Sequence, residues 1–171
     1  YIFAGMAAMS VVACSEDALE TSPSSSVSGN ELLGTATNAL VSLNGVYRAM
    51  YTAGVSNSSN THQCFGITAY NLVADVMGED CIMNGQGSGW FWYDCVYNVK
   101  SRYTSTGWRS YDMWNGYYTW ISNVNYILAE EETMSGSETE KNYVLGQAYA
   151  VRSYSYFMLA QMFSRTYKGR E

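Results

Sequence analysis

The chain has 171 residues, 47% of them hydrophobic, which is enough for one domain with a real core and excludes a disordered chain. Its net charge is −6 and its few Lys and Arg form no cluster, which argues against nucleic-acid binding, because phosphate contacts need grouped cations. Aromatics are frequent, with sixteen Tyr and five Trp, and the single proline, Pro23, leaves long helices unbroken.

Residues 1–13 carry no charge and are mostly apolar. The run is too short to span a bilayer and matches the apolar core of a signal peptide. No Met start or basic segment precedes it, so the expectation is a leader truncated at its N-terminus. It ends Val11-Val12-Ala13-Cys14 and gives way abruptly to Ser15-Glu16-Asp17, the pattern of a bacterial lipobox in which Cys14 receives lipid. A buried N-terminal strand or helix with an incidental Cys14 is the plainer alternative. Acyl chains on one cysteine would give stable anchoring, at about 0.8 kcal/mol per buried CH₂. Residues 14–30 then read as the anchor and a Ser-rich polar tether, and residues 31–171 as the folded body.

The body opens on a capping box, Ser28-Gly29-Asn30-Glu31, whose Ser and Glu can each satisfy an orphan backbone donor. Leu33, Ala36, Leu40, Leu43, Tyr47 and Met50 follow at steps of three and four, so they share one face of a first helix that Gly54 is placed to end. A weaker second helix is expected from His62 to about Met77, with Phe65, Thr68, Ala69, Leu72 and Val76 inward. Residues 84–108 interleave glycines with Trp90, Phe91, Trp92, Tyr93, Tyr97, Tyr103 and Trp108. That mixture breaks helical periodicity and predicts a long loop with a short strand at 90–97. A third helix is expected from about Ser110 to Thr133, with Trp114, Tyr117, Ile121, Val124 and Leu128 on one face. The fourth starts at a second capping box, Ser137-Glu138-Thr139-Glu140, and aligns Val144, Ala148, Val151, Ser155, Met158 and Met162. The short connection between them predicts an antiparallel hairpin. The fold class is therefore mainly α, with antiparallel, tetratricopeptide-like helix hairpins and one long aromatic, Gly-rich loop, although the chain shows no 34-residue repeat.

Beyond Cys14, the thiols of Cys64, Cys81 and Cys95 match no zinc spacing and form no CxxC, so no metal site is read. A Cys81–Cys95 disulfide formed after export and ordinary buried thiols both fit.

The fourth helix contains Gly146-Gln147-Ala148-Tyr149-Ala150-Val151-Arg152-Ser153-Tyr154-Ser155-Tyr156-Phe157-Met158-Leu159. It resembles the G-E-A-x-F-L-R-A-Y-A-Y-F-x-L helix of the SusD/RagB family, departing mildly at Gln147, Ser153 and Ser155. Trp114, Tyr117, Tyr118, Ile121, Asn125 and Leu128 resemble that family's W-x-x-Y-Y-x-x-I-x-x-x-N-x-x-L helix. Asn44-Gly45-Val46-Tyr47-Arg48 is similar to its L-N-G-x-Y-R, and Leu19 to Pro23 after the lipobox to its L-x-x-x-P. Four such matches stand in the expected order. The resemblance implies a lipoprotein on the exterior face of the outer membrane of Bacteroidetes. Such a protein acts as a lid on a TonB-dependent, SusC-like transporter and presents it with a glycan or, in some members, a peptide. It implies no cofactor and no catalysis. Family members run to several hundred residues, so the chain corresponds to about their first third, with the C-terminal part missing. In isolation it is expected to expose apolar surface and dissolve poorly.

The residue inventory is also weak for an enzyme. The lone histidine, His62, lies two residues from Cys64, a spacing that points the two side chains apart on a helix. Asp75, Glu79 and Asp80 form a tight carboxylate cluster, which could serve a surface glycoside hydrolase or be a solvated helix end. Glu130-Glu131-Glu132 reads as a solvated helix end. The better lead is the aromatic loop. Sugar rings present apolar C–H faces that pack on flat aromatic rings, while amides bond the hydroxyls. Trp90, Trp92 and Tyr93, with Asn84 nearby, supply both parts and are the candidate glycan-binding residues. The alternative is that these rings simply pack the loop onto the helices. A purely structural helical adaptor also remains open.

Overall fold

The computed structural model describes residues 32–54, 59–78, 81–96 and 104–165, and among them the backbone is helical, with no strand. Cys14, the tether, the Ser28–Glu31 capping box, Glu79, Asp80, Tyr97 and Tyr103 lie outside the described residues. The helices are α1 (Ala36–Ala49), α2 (Ile67–Met77), the single turn α3 (Trp92–Cys95), α4 (Trp108–Ala129) and α5 (Glu138–Phe163). The mainly helical class read from the sequence is the one observed, consistent with tetratricopeptide-like packing of helix pairs.

The N-cap of α1 is Thr35, whose hydroxyl accepts from the Asn38 amide at 3.1 Å. The buried face is Leu33, Ala36, Ala39, Leu43, Val46 and Met50, with Leu40 and Tyr47 half-covered at its margin. The expected stripe is therefore rotated by about one residue. The helix ends at Ala49, before Gly54, because the chain must turn at Met50 to meet Gly66. There the Ile67 amide donates to the Met50 carbonyl at 2.8 Å, and Gly66 adopts φ +72°. A Cβ at Gly66 would collide with the Met50 carbonyl. This contact starts α2 at Ile67, five residues later than the periodicity predicts. It also turns Ala69, Tyr70, Val73 and Val76 inward and leaves Thr68 and Leu72 exposed.

α4 and α5 are the backbone of the molecule. Trp114 meets Phe163, Tyr117 meets Tyr154, Asn125 accepts from Arg152 Nη1 at 3.1 Å, and Glu131 accepts from the Tyr149 hydroxyl at 2.6 Å. Contacts that ascend one helix and descend the other make the hairpin antiparallel, as expected. α4 buries Met113, Tyr117, Trp120, Ile121, Val124, Ile127 and Leu128. The fully buried Ala148 and Ser155 of α5 are small, so the bulky rings of α4 have room. The Ser155 hydroxyl is satisfied by the Val151 carbonyl at 2.8 Å. Trp114, expected on the inner face, is instead 46% exposed, touched on α5 by the edge-on ring of Phe163.

α1 packs across both helices of the hairpin. Its Tyr47 hydroxyl donates to Gln147 Oε1 on α5 at 3.0 Å. At its start, the Ala36 amide donates to the Ser135 carbonyl and the Ser135 amide to the Gly34 carbonyl, both at 2.9 Å. This bridge ties the α4–α5 turn to the N-terminus of α1.

Candidate functional site

Over its described residues, 90–96, the aromatic loop does not form the strand expected at 90–97. Gly87 and Gly89 take positive φ, the Gly89 amide closes a turn onto the Gln86 carbonyl at 2.8 Å, and residues 92–95 coil into α3. An alternating strand needs a neighbour to pair with, and among the described residues the loop faces helices instead. Phe91 sits at φ 56°, a conformation costly for a bulky residue. Its ring is buried edge-on against Phe65, 6.2 Å between centroids.

With Phe91 turned in, its neighbours turn out. Trp90 is 52% exposed and Tyr93 37% exposed, Trp92 is half-buried, and Asn84 lies exposed six residues before Trp90 on the same loop. Trp90 packs beside the exposed ring of His62, with centroids 5.1 Å apart. Three of the four candidate residues are thus gathered in one short segment.

Beneath this segment lies a buried ionic cluster. Arg109, in the first turn of α4 and only 3% exposed, donates from Nε and Nη2 to the two carboxylate oxygens of Asp94 at 3.2 and 2.9 Å. Its Nη1 donates to the Gln63 carbonyl at 2.7 Å. The Gln63 side-chain oxygen in turn accepts from the Phe91 amide at 2.7 Å. The guanidinium lies 4.2 Å from the Trp108 ring centroid and 5.1 Å from that of Phe91. A cation at a helix N-terminus opposes the helix dipole. Asp94 offsets this, together with Asp112, whose carboxylate is 4.0 Å from Nη1. Burial pushes the Asp112 carboxyl up to about 6, against the lowering effects of its Cys64 hydrogen bond and Arg109.

This cluster is not the one the sequence points to. Asp75 is exposed on α2, and among the described residues the carboxylates in the core are Asp94 and Asp112. A carboxylate on an exposed helix face such as that of Asp75 is solvated, whereas one set among aromatics needs a cation to be buried at all. Asp94 within Trp-Tyr-Asp-Cys was the available signal for Arg109. His62 is exposed and Cys64 buried, so the two do not face one another. Cys64, Cys81 and Cys95 are free thiols. Glu131 and Glu132 are solvated at the end of α4, as expected.

Apolar grooves of about 380 Å³ between α1 and α4, and about 330 Å³ among α2, α4 and α5, offer few polar groups to match sugar hydroxyls. Among the described residues no group of three or more His, Cys, Asp or Glu is placed to hold a metal ion. No helix there is long and apolar enough to cross a membrane.

A SusD-like family model, described as starch-binding and associating with the outer membrane, matches residues 20–170. No curated protein and no solved structure matches the chain.

Proposed function

Because the chain belongs to the SusD-like family of starch-binding, outer-membrane-associated proteins, we propose that it is a surface-exposed, lipid-anchored glycan receptor. It hands oligosaccharides to a TonB-dependent, SusC-like transporter and does no catalysis of its own. Residues 1–13 would be the apolar part of the export leader, Cys14 the lipidated residue, and 14–30 the tether that lets the helical body stand off the membrane.

The observation that carries the reading is the outward presentation of Trp90 and Tyr93 by a loop whose intervening Phe91 is buried. Exposed rings on an anchored loop can stack on the C–H faces of a glucan, with Trp92 flanking them and the Asn84 amide available to hydroxyls. Stacking and amide contacts bind a neutral polymer without needing charge.

Affinity electrophoresis through gels containing starch and other polysaccharides tests this. The wild-type protein should be retarded by an α-glucan without breaking it down, and Trp90→Ala/Tyr93→Ala should migrate freely while keeping its helical circular dichroism. Retardation unchanged in the double variant would remove the site from this loop. Retardation by no polysaccharide would sink the glycan reading. Cys14→Ala should move the protein from the membrane to the soluble fraction.

A further inference from the structure

Of residues 81–96, Phe91 and Asp94 alone are buried, and both are held by the same guanidinium. The rest of the loop is exposed or half-exposed and carries Gly85, Gly87 and Gly89, so it has little apolar contact of its own to order it. Gln63 closes a circuit by bonding Arg109 through its carbonyl and Phe91 through its side chain. Three separate stretches of chain, before α2, around α3 and at the start of α4, therefore meet at one cation.

We propose that Arg109, acting through Asp94 and Gln63, is the positioning residue for ligand capture: it fixes Trp90 and Tyr93 in their outward pose before the glycan arrives. This inference rests on the glycan reading above. A ring held in place before binding loses no further rotational freedom when the sugar stacks on it, so affinity depends on the clamp without the clamp touching ligand. Arginine suits the task because its planar fork bonds both Asp94 oxygens while its faces lie against Trp108 and Phe91. A lysine keeps the charge but has neither the fork nor the flat face.

The test compares wild-type protein with Arg109→Lys, which keeps the buried charge, and Asp94→Asn, which leaves Arg109 with Asp112 at 4.0 Å as its remaining carboxylate. Hydrogen–deuterium exchange should quicken in residues 84–96 of both variants and stay unchanged in the core of α4 and α5. Glycan affinity should fall about tenfold or more, the scale of ordering a few side chains on binding. Adding Arg109→Lys to the single variant Trp90→Ala, which keeps Tyr93 and measurable binding, should cost less than Arg109→Lys costs on its own, because the clamp acts through the ring already removed. Additive losses, or a loosened loop that binds as tightly as wild type, would overturn the positioning role while leaving glycan binding intact. Unchanged loop exchange in both variants would overturn the clamp itself. A wild-type protein that no polysaccharide retains would take down the glycan reading and this inference with it.

Discussion

Asp112 sits fully buried in the first turns of α4, and its environment has a consequence in solution. Its folded carboxyl titrates near 6, raised by burial, against about 4 when unfolded. The folded state therefore binds the proton more tightly. The stabilisation from protonation is complete below about pH 4 and is lost as pH rises through about 6, on the order of 2 kcal/mol across that window. Relative to Asp112→Asn, the wild-type melting temperature should fall between pH 4 and pH 7. Parallel melting curves for the two proteins across that range would show that Asp112 is not the group responsible. A second residue-scale constraint is Gly116. The buried Tyr70 hydroxyl lies against it and donates to the Asp112 carbonyl at 2.9 Å. Gly116→Ala would push a methyl into that hydroxyl, and should lower stability by about 1–3 kcal/mol in chemical denaturation. An unchanged midpoint would mean that Tyr70 can move aside.

At the scale of the element, α5 shows how local sequence and packing divide the work. Its start is a closed capping box. The Glu140 amide donates to the Ser137 hydroxyl oxygen at 3.3 Å, and the Ser137 amide donates to the Glu140 carboxylate at 2.9 Å. The Ser137 hydroxyl also donates to that carboxylate at 2.7 Å, and these bonds hold the Glu140 carboxyl below its usual range. Ser137→Ala should cost about 1 kcal/mol, measured by urea titration. Gly146 lies on the exposed side of the same helix, with open space where a Cβ would go. Gly146→Ala should stabilise by about 0.5–1 kcal/mol in the same titration. Opposite signs are the expectation, and a loss at Gly146 would mean that the position serves a contact outside these helices.

For the molecule as a whole, the α4–α5 hairpin buries one side and presents aromatic rings on the other. Trp114 packs on Tyr118 and Phe163, with ring centroids 4.6 and 5.1 Å apart, and Tyr156 meets Tyr118 at 6.4 Å. All four rings are exposed, and Phe157, next in sequence to Tyr156, is 61% exposed. So much contiguous aromatic surface favours association in water. The isolated chain should sediment as oligomers at micromolar concentration, and Trp114→Ser/Phe157→Ser should shift it toward monomer. A wild-type chain that is monodisperse and monomeric would contradict this.

Periodicity and capping signals were sufficient for the helical class, for the antiparallel pairing of α4 with α5 and for the Ser137 cap, because these depend on residues close in sequence. The motif residues Arg152 and Asn125, found on separate helices, turn out to bond one another, which no spacing within either helix could show. Periodicity alone places the start of α2 too early, because the helix begins where the Ile67 amide bonds the Met50 carbonyl over Gly66, a contact between distant residues. The strand expected at 90–97 gives way to a helical turn at 92–95 for the same kind of reason. Alternating rings look like a strand until Arg109 draws in Phe91 and Asp94 and coils the segment. The sequence by itself supplied the ring-bearing loop and the helices that carry it. Which rings face water was decided only when Gln63, Asp94 and Arg109 met, since a buried ion pair forms only when the folded chain brings its partners together and shields them from solvent.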